Sequence, residues 1–111
     1  MIHVIKAQAS KEQMTDMLPT LQTYIKLAVD VHRRVIAGGG ALHADCEAAL
    51  LEDGSQQADV WGADWIPAEQ AVRFGALINL RPRVNPTMEI QDPEIRRRVE
   101  AIARKLLRGA S

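Results

Sequence analysis

One cysteine, Cys46, is all the chain offers, so no internal disulfide can close and stability has to come from a buried core, as in proteins of reducing compartments. Aromatic residues are almost as scarce. Tyr24, Trp61, Trp65 and Phe74 make up 4% of the sequence, too few to build a stacking platform for a sugar or a base, so the two tryptophans are expected in a core or an interface. No apolar run reaches the length of a membrane span. Met1 leads straight into a short strand-like run, not a basic stretch followed by a long apolar one, so no secretory leader is expected and the cytoplasm is the default compartment. Neither a Gly-x-Ser-x-Gly elbow nor a phosphate-loop signature is present, and His43, three residues before Cys46, does not form a known nucleophile-base spacing. Between Gly38 and Pro67 there is no Lys or Arg.

What is present reads as one folded domain spanning residues 1–111, because 47% apolar and 25% charged residues lie far from the composition of disordered chains. The formal net charge is zero but unevenly placed. Seven carboxylates fall between Gly40 and Gln70, whereas residues 80–111 carry eight basic side chains against four acidic ones. The two regions can neutralise one another within the fold or across a homodimer, or the basic end can present a helix face to a phosphate-bearing partner. Glu94 and Glu100 dilute that face, so nucleic acid is not the expected ligand.

Local patterns give the elements. Residues 2–7 alternate and are β-branched, which predicts a first strand. Ser10 with Gln13 three residues on forms a capping box, and Met14, Met17, Leu18 and Leu21 follow at helical spacing until Pro19 stops or kinks the helix near Leu18. In 24–31, Ile25, Leu27, Val29 and Val31 share one face and Lys26, Ala28 and Asp30 the other, a half-buried strand. A break at His32-Arg33 predicts a hairpin whose second strand runs from about Arg34 to Leu42, loosened by Gly38, Gly39 and Gly40. Helix formers between Asp45 and Gly54 favour a short helix capped by Asp45 over a strand ending in an Asp-Gly turn. Residues 58–67 and 71–82 read as a second hairpin turning at 68–70, with Val72, Phe74, Ala76, Ile78 and Leu80 on one face of the last strand. Asp92, Pro93 and Glu94 then open a final helix with Ile95, Val99, Ile102, Ala103, Leu106 and Leu107 as its apolar stripe and Gly109 as its stop. The fold class expected is α+β, an antiparallel sheet of about five strands packed against an N-terminal and a C-terminal helix, in the order strand, helix, hairpin, short helix, hairpin, helix.

Three sets of residues are candidates for chemistry. His43, Asp45 and Glu47 would point the same way on an extended segment, with Asp30 as fourth ligand or base, a donor set suited to Zn, Mn or Fe; on a helix they would not converge. Arg73, Asn79 and Arg81 line the polar face of the last predicted strand and could bind an anion, or pair with the acidic middle if the two are adjacent in the sheet. Trp61 and Trp65 are interface or core candidates.

Taken together, IKLAVDV, AGGGALHADCEAALLEDGSQQADVWGADW, LINLRP and MEIQDPEIRRRVEAI resemble a bacterial domain-of-unknown-function family that includes cyanobacterial members. The resemblance runs from Tyr24 to Leu107 and departs from the family pattern at Arg83-Val84, where more polar residues are usual. It implies a compact domain and brings no activity, substrate or cofactor with it. The function expected is a non-enzymatic binding or protein-interaction domain without a cofactor, acting as a homodimer because pairing resolves both exposed sheet edges and tryptophans. The alternative is a small divalent-metal-dependent hydrolase or nuclease using His43, Asp45 and Glu47.

Overall fold

Ser10 occupies the cap foreseen for it. Its hydroxyl accepts from the Gln13 amide at 3.1 Å, and the Gln13 side chain accepts from the Ser10 amide at 2.9 Å. The helix it starts, α1 (Lys11–Met17), ends before Pro19. The computed structural model describes residues 1–19, 21 and 23–108. In it the remaining elements are β1 (His3–Ile5), β2 (Ile25–Asp30), β3 (Val35–Gly38), α2 (His43–Glu52), β4 (Val60–Ile66), β5 (Ala71–Arg73) and α3 (Pro93–Leu107). The five strands form one antiparallel sheet in the order β1-β3-β2-β4-β5. The fold is α+β.

Strand alternation divides the core in two. Leu27 and Val29 of β2, Ile36 of β3 and Trp61, Ala63 and Trp65 of β4 meet Met14 and Met17 of α1 and Val99, Ile102, Ala103, Leu106 and Leu107 of α3. On the opposite face Ala28, Val35, Ala37 and Val60 meet Cys46 and Leu50 of α2. The short helix thus closes a third layer instead of decorating an edge, and the first and last helices share the other face. Each fully buried aliphatic side chain here contributes about 1.5–3 kcal/mol.

Both predicted hairpins are present, with shorter strands. Asp30, fully buried, holds the β2–β3 turn by accepting from the amides of His32 and Arg33 at 2.9 Å each. β3 stops at Gly38, short of Leu42, because Gly39 turns at φ +102°, where an added Cβ would lie 2.2 Å from the Met1 carbonyl oxygen. β5 stops at Arg73, well short of the expected end. Beyond it Gly75 bridges to Glu89, residues 77–79 coil into a 3-10 turn, and the Asn79 side chain takes the vacated edge of β4. Its amide accepts from Gly62 N at 2.7 Å and donates to Gly62 O at 2.9 Å, as a neighbouring strand's peptide would. Gly62 permits this approach, since a Cβ on it would fall 2.4 Å from the Ala76 Cβ. Asn85 is the second buried amide of this segment, donating to the carbonyls of Asn79, Thr87 and Glu89 and accepting from Gln91 N. The final helix starts as read, with the Asp92 carboxylate accepting from Glu94 N and Pro93 in the first turn; its expected stop, Gly109, lies outside the described residues.

Candidate functional site

α2 begins at His43, with Leu42 in the cap position and Asp45 in the first turn, so Asp45 is not the cap expected of it. At helical pitch His43 and Glu47 lie one turn apart on a shared face while Asp45 points elsewhere. The three alternate residues therefore do not converge as they would on an extended chain. Asp30 is farther still. In the β2–β4 register Lys26 stands opposite Asp64 and Asp30 opposite Val60, four residues along, which is about 13 Å of strand. Asp30 spends one oxygen on its own turn, and its Oδ2 is buried without a hydrogen-bond partner among the described residues. No group of three His, Cys, Asp or Glu side chains among the described residues is placed to hold a metal ion.

What His43 meets instead is Asp64 of β4. Its Nε2 lies 2.8 Å from Asp64 Oδ1 and 3.0 Å from the Ala63 carbonyl oxygen, with both side chains largely buried. Two acceptors facing one ring nitrogen place the proton on Nε2, and Nδ1 makes no hydrogen bond among the described residues. Asp64 in turn stands opposite Lys26 on β2 and Arg73 on β5, so the acidic segment and the first residue of the arginine row are adjacent in the sheet.

The rest of that row separates. Asn79 is fully buried in its backbone role. Arg81 lies across the end of β4, donating to the carbonyls of Ala58 and Val60 and stacking over the Trp61 ring at 3.8 Å, and burial lowers its pKa below the usual arginine value while Glu47 and Asp59 oppose that shift. With its guanidinium spent on carbonyl oxygens, it does not form an anion clamp with Arg73. Trp61 and Trp65 are 3% and 0% exposed in the α1/α3 core, so neither is available to an interface. Cys46, fully buried, donates to the Lys26 carbonyl at 3.4 Å, and burial pushes its thiol pKa up, as expected of a small core residue.

His43 lines a recess of about 630 Å³ between the start of α2 and the 75–89 segment. Its walls are mostly apolar: Leu42, Ala76, Leu77, Ile78 and Met88. Leu42, Leu77 and Met88 are 56%, 70% and 54% exposed, unusual for large apolar side chains gathered at one place. Lys26 and Glu89 stand in the same recess, and neither makes an ion pair among the described residues. Sequence reasoning found His43 but missed Asp64, Lys26, Glu89 and the apolar rim. Only strand order brings these together, and nothing in local periodicity encodes it.

The molecule is thus an α+β domain of three layers, with an apolar, histidine-lined recess on its α2 face. The chain belongs to the family described as Protein of unknown function (DUF5674), whose model matches residues 3–106. No curated protein and no solved structure matches it. No helix among the described residues is long and apolar enough to cross a membrane.

Proposed function

We propose that this domain is a non-enzymatic protein-interaction module that works as a homodimer, joined through the recess on its α2 face. The observation that carries the reading is the collection of Leu42, Leu77 and Met88 around a cavity lined by one cation, Lys26, and one anion, Glu89, neither of which makes an ion pair among the described residues. A two-fold interface sets the same patch against itself, so a patch bearing both signs beside apolar surface is self-complementary: Lys26 of one copy turns to Glu89 of the other while the apolar rims meet. The metal-dependent hydrolase or nuclease reading needs His43, Asp45, Glu47 and Asp30 within one coordination sphere. Their separation favours binding over that chemistry. His43, its Nε2 proton held by Asp64, then serves as a fixed polar group in the apolar wall.

Sedimentation velocity on the wild type, Leu77→Asp and Met88→Glu tests this. The wild type is expected to sediment as a dimer and both variants as folded monomers, because the replaced side chains are mostly solvent-exposed. A wild type that stays monomeric at tens of micromolar, or variants that remain dimers, would remove the proposal.

A further inference from the structure

A second recess, of about 880 Å³, lies on the opposite side of the sheet, where α3 passes the β2–β3 turn and the segment leading out of β1. That volume is in the ordinary range of small-molecule sites. Three separate parts of the chain bring cations to it: Lys6 after β1, Arg34 in the turn, and Arg98 and Lys105 on α3, with Glu94 the one carboxylate of its lining. The floor is apolar, formed by Val31, Ile102 and Leu106. Glu94 is engaged by Arg97 and Arg98, and Lys6 by Asp53. The side chains of Arg34 and Lys105 make no hydrogen bond or ion pair among the described residues, so at least two cations have no internal counterpart.

Arg34 is the telling residue. Its φ is +60°, a left-handed conformation that L-residues rarely adopt and that glycine or asparagine would take more easily. That conformation closes the β2–β3 turn, with the Arg34 amide donating to the Asp30 carbonyl at 2.9 Å, and the guanidinium lines the recess with no hydrogen bond or ion pair among the described residues. The turn is also held from below. The buried Asp30 carboxylate fixes it, and Arg33 donates to Ser55 Oγ and Asp53 Oδ2 at 2.7 Å each, so Arg34 is presented on a set frame. A second hollow of about 520 Å³ adjoins along α3, sharing Gln8, Ala101 and Lys105 and adding Arg104 and Arg108. Lys105 therefore stands between two anion-attracting hollows.

We propose that this cleft binds a small organic phosphate, its phosphate held by Arg34 and Lys105 with Arg98 and Lys6 in support, and its apolar body resting on Val31, Ile102 and Leu106. Guanidinium and ammonium donors lining one cleft suit the tetrahedral oxygens of phosphate. The apolar floor gives a phosphate carrying a hydrocarbon body an advantage over the bare ion. Among the described residues the imidazole of His32 is the one aromatic ring lining the two hollows, with no Phe, Tyr or Trp beside it, so the row of stacking platforms that grips single-stranded nucleic acid has no counterpart here.

Titration of isotope-labelled protein with phenyl phosphate and inorganic phosphate, followed by amide NMR, tests the assignment, with a short single-stranded oligonucleotide as a third arm. Phenyl phosphate is expected to bind saturably and about tenfold more tightly than inorganic phosphate, moving signals of 31–34 and 98–106. Affinity is expected to fall about tenfold or more in Arg34→Gly and in Lys105→Ala. Because Arg34→Gly relieves backbone strain, its melting temperature should equal or exceed that of the wild type, which separates lost binding from lost folding. No saturable binding, binding that both variants retain, or an oligonucleotide that binds more tightly than phenyl phosphate and depends on Arg104 and Arg108 would each overturn the proposal.

Discussion

At the scale of single residues, two asparagines perform work that sequence assigns to backbone. Asn79 supplies a primary amide where β4 needs a neighbouring peptide, and Asn85 does the same for the loop that follows. In a one-letter pattern Asn79 reads as a polar position on an alternating strand, since nothing local distinguishes a side chain that faces solvent from one that replaces a strand. Asn79→Ala would orphan both Gly62 N and Gly62 O in a buried setting. At about 1–3 kcal/mol for each unsatisfied group, a loss of roughly 2–6 kcal/mol is expected in urea unfolding. Asn79→Asp keeps an acceptor for Gly62 N but sets a carboxylate against the carbonyls of Gly62, Phe74 and Met88, so at neutral pH it should destabilise at least as much. A loss within about 0.5 kcal/mol for both variants, the range of ordinary surface changes, would mean the amide is not holding the edge.

Among the elements, those that carry their own start signals were legible. The Ser10 capping box, the Asp92-Pro93-Glu94 opening of α3 and the Ile95-to-Leu107 stripe depend on neighbours within one or two turns, and the structure has all three. Strand lengths were not legible. β3 ends where Gly39 turns the chain at φ +102°, β5 ends at Arg73, and the alternating residues 76–80 leave the sheet while the Asn79 side chain takes the edge of β4. The C-terminal end of α2 is tied down by Asp53, which accepts from Arg33 at 2.7 Å and from Lys6 at 3.3 Å. The Arg33 hydrogen bond, followed by that from Lys6, lowers the Asp53 pKa below its usual 3.8. A carboxylate with a lowered folded pKa adds stability that is present above the unfolded pKa and is lost as pH falls through the folded one. Asp53→Asn should therefore be less stable than the wild type at pH 7, with the gap closing below about pH 3.8; a gap that persists at the lowest pH would assign the effect to something other than this charge.

At the scale of the whole molecule, the acidic and basic segments fall on different sides of one sheet. α2, with Asp45, Glu47 and Glu52, covers one face beside the apolar recess, and α3, with its arginines and Lys105, covers the other beside the basic cleft. Charge asymmetry along the chain was visible in the sequence, and so was His43. Its partner was not, because the order β1-β3-β2-β4-β5 that sets Asp64 beneath His43 is a matter of long-range pairing. The central claim is that the α2 face is the surface through which the protein associates, leaving the α3 face open. Amide hydrogen exchange measured at a low and a high protein concentration tests it most directly. The account predicts that protection of residues 42–44 and 75–89 rises with concentration while that of 98–105 stays constant. Protection independent of concentration everywhere, or rising on the α3 surface instead, would contradict it.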